Sequence, residues 1–139
     1  SYEGQAAIEL EAIADPDERG RYEIEVREGT SGGLVLDPHA ALTALGADAG
    51  SGTEPAVLAA RFHDGVAAAT VAACEALAVR HELETVVLSG GVWANRLLLE
   101  RTVPALEAAG LHVLLPELLP PGDGGISYGQ AVVAAAKAR

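Results

Sequence analysis

Three observations make this chain an α/β protein. Short β-rich runs alternate with stretches of helical periodicity, a strand, helix and strand follow one another over residues 85–115, and glycine loops stand where the strands of that unit end. From these runs the sequence predicts a mixed sheet flanked by helices. Its strands would come from a 22–36 hairpin, the 85–88 run and the 111–115 run, with both glycine loops on one rim.

The elements are justified in order. Ala6, Ala7, Leu10, Ile13 and Ala14 recur at helical spacing from about Gly4, and Asp15-Pro16-Asp17 ends that helix because proline cannot continue it. Tyr22, Ile24 and Val26 alternate with Glu23, Glu25 and Arg27; the glycine-rich turn at 29–33 and the run Leu34-Val35-Leu36 complete a hairpin. Asp37-Pro38 reads as a cap and first turn of a short helix to about Leu45, followed by a loop over 46–53. A long helix spans about Glu54 to His81, with Leu58, Phe62, Val66, Ala69, Ala73 and Leu77 as its apolar stripe. Thr85 to Leu88 is a strand, Ser89-Gly90-Gly91 a turn, Val92 to Ala109 a helix stopped by Gly110, and Leu111 to Leu115 a second strand. Ile126 to Ala138 closes the chain as a helix of small residues.

With 139 residues, half of them apolar, residues 1–139 suffice for a single domain that buries about two thirds of its unfolded surface. Nine basic against twenty acidic residues give a net charge of −11. That field repels nucleic-acid phosphates and anionic membranes, so neither is expected as a partner. The lone cysteine, Cys74, can form no internal disulfide, which points to a reducing compartment and a cytoplasmic protein. It sits among alanines with no base beside it and reads as a small core residue. No purely apolar run approaches the roughly 20 residues of a membrane span. The chain has no methionine and opens on Ser1-Tyr2-Glu3-Gly4 with helical periodicity at once, so a piece of a longer polypeptide is expected.

Three constellations carry possible chemistry. The loop from Ser89 to Asn95 leaves a strand and opens a helix; Gly90 and Gly91 let backbone amides approach a phosphate, or the loop is a tight turn capped by Ser89. A pyrophosphatase-type loop of ATP-dependent amide synthetases also reads Ser-Gly-Gly, but it places aspartate and serine where this chain has Trp93 and Ala94. In Pro120-Pro121-Gly122-Asp123-Gly124-Gly125, Asp123 either caps the last helix or offers a hard oxygen ligand to a cation. Gln5 and Glu9 share a helix face just after Gly4, where a carboxylate can take hydrogen bonds from a ribose diol or lie on a solvated acidic face with Glu3 and Glu11. His39, His63, His81 and His112 are scattered and read as surface or locally satisfied histidines.

Taken together, Tyr2 to Glu11, Leu88 to Leu98, and Pro120 to Ile126 with Gly129-Gln130 resemble the C-terminal part of HypF-type carbamoyltransferases, which serve hydrogenase maturation. The motifs lie at the beginning, middle and end of the chain in the family's order. The resemblance implies one lobe of the actin-like, sugar-kinase-like (ASKHA) ATPase fold, shared with tRNA threonylcarbamoyl-transfer proteins and antibiotic O-carbamoyltransferases. It implies that carbamoyl phosphate and ATP are converted to a carbamoyl-adenylate, whose carbamoyl group passes to the C-terminal cysteine of a HypE-like partner and becomes the cyanide ligand of nickel-iron hydrogenase. By position, Ser89, Gly90 and Gly91 would contact nucleotide phosphates, Asn95 the base or sugar, and Gly4 with Glu9 the ribose. Asp123 would be a ligand of a divalent metal (iron, zinc or magnesium) whose histidine ligands lie upstream of Ser1. The tRNA-modifying relatives carry a proline-glycine-glycine-proline stretch where this chain reads Glu3-Gly4-Gln5-Ala6, which favours the hydrogenase branch. No catalytic residue is assigned, and the piece alone is expected to be inactive. The alternatives are membership of one of the two related carbamoyl-transfer groups, or a non-catalytic lobe that docks a partner.

Overall fold

The structure, a computed structural model, describes residue 2 and residues 4–30 and 32–138. Glu3, in the acidic N-terminal face, and Ser31, in the hairpin turn, lie outside the described residues.

Among the described residues, five α-helices and four short strands run in the order α1 (Gln5–Ile13), β1 (Glu25–Glu28), β2 (Leu34–Asp37), α2 (His39–Gly50), α3 (Pro55–His81), β3 (Thr85–Val87), α4 (Arg96–Ala108), β4 (His112–Leu114) and α5 (Ile126–Lys137). The chain is thus α/β, with small sheets. The long helix α3 is the element on which the others gather: α1, α2, α4 and the hairpin all contact it. Its buried positions are Ala59, Ala60, His63, Gly65, Ala67, Ala69 and Ala73. The predicted stripe of Leu58, Phe62, Val66 and Leu77 is only half-buried. The reason is crowding, since neighbours press on several sides of α3 and only small side chains fit between backbones. Gly65 shows this most sharply: a β-carbon there would run into the Tyr22 carbonyl oxygen. Tyr22 is itself bonded to α3, its amide donating to the Arg61 carbonyl at 3.1 Å.

By length and composition alone α3 would pass for a membrane span, contrary to the expectation that no segment does. Here, however, it buries His63 and pairs Arg61 with Glu18 and Asp48, and Asp64 with Arg101, which suits a helix packed among other protein elements.

The mixed sheet is not formed. Among the described residues β1 and β2 make one antiparallel pair, Glu25 opposite Asp37, and β3 and β4 make a separate parallel pair, Thr85 opposite His112. The two ladders rest on different helices. The hairpin lies on α3 and is tied to it by the Arg80 guanidinium, which reaches Glu28 and the Gly32 carbonyl, whereas β4 lies against α4. Around the parallel pair, Leu88, Leu106 and Leu111 form a core, with Cys74, Val86, Trp93, Leu99, Val103 and Val113 packed on it. Burial pushes the Cys74 thiol up, in keeping with a core residue and not a nucleophile.

Two boundaries also moved. Helix α2 runs through Gly46 to Gly50, where a loop was expected, because a mid-helix glycine costs only about 1 kcal/mol in a run otherwise rich in alanine. The expected helix from Val92 divides into a 3₁₀ turn, Gly91–Ala94, and α4, which Asn95 begins.

Candidate functional site

The parallel pair ends in two loops that touch. Leu88 continues the ladder by donating its amide to the Leu114 carbonyl at 3.0 Å, and the chain then turns at Gly90, whose φ of 104° only glycine adopts freely. The Gly90 amide donates to the Pro121 carbonyl at 2.6 Å, and the Ser89 hydroxyl approaches the same oxygen at 3.4 Å. Gly122 lies so near Gly91 that a β-carbon on Gly122 would stand 3.6 Å from the Gly91 α-carbon. The common rim expected for the two glycine loops is therefore present, at the carboxyl ends of parallel strands where α/β folds collect ligands.

Accounting for the amides narrows what the rim can donate. The Gly90 N–H is consumed by Pro121. At the start of α4, a carboxylate oxygen of Glu11 accepts from the Arg96 amide at 2.7 Å and the Leu97 amide at 3.2 Å. The Asn95 side-chain oxygen accepts from Leu98 at 2.8 Å, and its backbone carbonyl accepts from Leu99 at 3.2 Å. With the Asn95 amide donating to the Val92 carbonyl at 3.1 Å, all four orphan donors of that helix end, Asn95 to Leu98, are satisfied from within the chain; the Leu99 bond is the first of the helix ladder itself. What remains are the amides of Gly91 and Val92, which have no acceptor among the described residues; the exposed Ser89 hydroxyl is held only by its long 3.4 Å bond to the Pro121 carbonyl.

Asn95 joins two helices. While its oxygen caps α4, its side-chain nitrogen lies 2.9 Å from Nε2 of the buried His63. Nδ1 of His63 lies 2.8 Å from the Ala59 carbonyl, which can only accept. The proton therefore sits on Nδ1, and Nε2 receives the Asn95 N–H. His63 is locally satisfied, as the sequence suggested, but it is buried and holds a residue of the site.

On α1, Gly4 adopts φ 79° just before the helix, and the Gln5 side chain donates to exposed Glu9 at 2.7 Å. Glu9 and Glu11 are two residues apart on a helix of about 3.6 residues per turn, so they leave it on nearly opposite sides. Glu11 faces α4 and Glu9 faces away from that contact. Asp123 begins a second 3₁₀ turn, Asp123–Gly125, and its side chain makes no capping bond; Gly125 is the residue preceding α5. Asp123 is exposed, two residues beyond the carbonyl that grips Gly90. No group of three or more histidine, cysteine, aspartate or glutamate side chains is placed to hold a metal ion among the described residues, so Asp123 offers one oxygen donor and the chain does not complete a metal centre.

The sequence missed Glu11 and the start of α4. Glu11 lay in an acidic run that reads as solvated, and its partners are 85 and 86 residues away. The signal for the helix start was present: asparagine immediately before the periodic run Arg96-Leu97-Leu98 is an N-cap pattern.

A parallel strand–helix–strand edge bearing two touching glycine loops defines an α/β subdomain with a candidate ligand rim. Residues 1–130 match the family described as carbamoyltransferase, Kae1-like domain, second subdomain, and the chain belongs to that family. It is similar to a carbamoyltransferase HypF homolog of Cupriavidus necator, 38% identical over 96% of this chain and 35% of the relative. It is also similar to the carbamoyltransferase HypF of a Synechocystis species, 33% identical over 94% of this chain and 16% of the relative. Among solved structures it superposes on full-length HypF in its phosphate- and nucleotide-bound form with a TM-score of 0.89 and 37% identity, covering 96% of this chain and 17% of that one. On T. kodakarensis HypF the TM-score is 0.81 at 25% identity, over 98% of this chain and 17% of that one. The chain thus spans about a third of the first relative and about a sixth of the others.

Proposed function

We propose that this chain works as one subdomain of a longer cytoplasmic carbamoyltransferase and forms half of a cleft in which ATP and carbamoyl phosphate react. The observation that carries the reading is the Gly90–Pro121 bond, which puts both glycine loops on one rim in a family of carbamoyltransferases. In this reading the Gly91 and Val92 amides and the Ser89 hydroxyl donate to phosphate oxygens, while Gly90 shapes the turn and spends its own amide on Pro121. Glu9, with one oxygen already oriented by Gln5, accepts from a ribose hydroxyl beside Gly4. Asn95, whose oxygen and one N–H are engaged, keeps a second N–H for the base or sugar. The rim positions the phosphates so that a carbamate oxygen, left when carbamoyl phosphate loses its phosphate, attacks the α-phosphorus of ATP and expels pyrophosphate; the C-terminal cysteine thiol of a HypE-like acceptor then takes the carbamoyl group from the adenylate and releases AMP. Asp123 would give one oxygen to a divalent metal whose remaining ligands come from elsewhere in the longer protein; when bound, such an ion supplies charge neutralisation to the phosphates. Support for ATP comes from the nucleotide-bound state of the HypF structure on which this chain superposes.

The test is carbamoyl-phosphate-dependent exchange of labelled pyrophosphate into ATP by the longer protein. Exchange that appears only when carbamoyl phosphate is added is the expected result; its absence in a folded, ATP-binding protein would overturn the adenylate route.

A further inference from the structure

Helix α1 buries none of its residues, and Ile8 and Ile13 are about half exposed. Core packing therefore does little to set where α1 stands relative to the glycine rim. Its C-terminal end is held to α3 by the Asp15 amide, which donates to the Ala56 carbonyl at 3.0 Å. Its link toward the rim is the Glu11 carboxylate on the first two amides of α4. Those amides follow directly on Asn95, which closes the 3₁₀ turn carrying Gly91 and Val92. A carboxylate at a helix N-terminus is charge-complementary, and two donors on one oxygen fix its position.

We propose that Glu11 is a positioning residue that holds α1 in register with the phosphate-facing loop, so that the Gly4–Glu9 surface and the Gly91–Val92 amides grip opposite ends of one nucleotide. This rests on the reading of those two surfaces given above. The carboxylate acts through geometry, with both α4 amides donating to the same oxygen, Oε1. The other acidic residues of the segment do not duplicate it: Glu9 leaves α1 on the far side and is engaged by Gln5.

The proposal separates ligands by how much of the site they span. ATP reaches both surfaces, whereas inorganic tripolyphosphate reaches only the loop. In the longer protein, Glu11→Ala is expected to weaken ATP binding about tenfold or more while tripolyphosphate binding stays within about threefold of wild type. Glu11→Gln keeps the acceptor oxygen and is expected to restore ATP affinity to within about threefold. Glu11→Asp keeps the charge but, one methylene shorter, is expected to bind ATP more weakly than the Gln variant does, and it serves in place of the Ala variant if that one fails to fold. Unchanged ATP affinity in Glu11→Ala, equal losses for ATP and tripolyphosphate, or a Gln variant as impaired as Ala would each overturn the positioning role. Failure of wild-type protein to bind tripolyphosphate would instead count against the phosphate-loop reading, so the two failures are distinguishable.

Discussion

At the scale of single residues, Gly65, Asn95 and Asp123 differ in what they hold up. Gly65 permits a backbone contact, and Gly65→Ala must push the Tyr22 segment off α3; unfolding in urea should show a loss of at least about 1–3 kcal/mol. Asn95→Ala removes the α4 cap and leaves the buried His63 Nε2 without its donor, so a loss of about 1–3 kcal/mol is expected in the same measurement. Any effect of that variant on nucleotide binding is therefore read only beside its stability. Asp123 caps nothing, and Asp123→Asn should leave the melting temperature unchanged. If its carboxylate is a metal ligand, carbamoyl transfer by the longer protein should fall by orders of magnitude in the same variant. Unchanged transfer would strip Asp123 of that role.

At the scale of elements, the junction between hairpin and α2 carries a pH dependence. The His39 amide and then the Arg27 guanidinium hold the Asp37 carboxyl below its ordinary range, and the Gly20 amide, with Arg61, does the same for Glu18. A carboxyl depressed in the folded state stabilises fully above its unfolded value, about 4, and the contribution is lost as pH falls through the lower folded value. Thermal melts between pH 7 and 3 should therefore show stability falling only at the acid end, with a shallower fall in Asp37→Asn. Helices and strands were legible in the sequence because each is written in a local period: α1, α3 and the strand–helix–strand unit stand within a few residues of where the pattern puts them. The partners of the strands were not, because which ladder a hairpin joins depends on which helix it rests on, and that is decided by contacts such as Arg80 with Glu28, 52 residues apart. Separations of 85 and 32 residues likewise hid the partners of Glu11 and His63, while the turn at Ser89, Gly90 and Gly91 was legible from its own residues.

At the scale of the whole molecule, residues 114–138 are the least buried stretch. Helix α5 buries no residue, and Leu118, Ile126, Tyr128, Val132 and Val133 are exposed. With few tertiary contacts to protect it, α5 should exchange its amide hydrogens fastest of the helices in the 139-residue chain, whereas α3 and α4 should be slowest. The same chain should turn over neither carbamoyl phosphate nor ATP, since it offers one carboxylate and no completed metal centre among the described residues. Measurable turnover that survives an otherwise neutral change elsewhere and vanishes in Asp123→Ala would show the chain to be self-sufficient.

The central claim, that the Ser-Gly-Gly loop grips nucleotide phosphates through its free amides, is tested most directly by ATP affinity in Gly91→Ala. A β-carbon at Gly91 meets nothing within 4 Å, and the residue has no positive φ, so the protein itself tolerates the change. The methyl group would stand only in the way of a ligand approaching the Gly91 and Val92 amides. Titration calorimetry of the longer protein should show ATP binding weakened about tenfold or more, with the melting temperature of the unliganded protein unchanged. ATP affinity equal to wild type in the folded variant would contradict the claim.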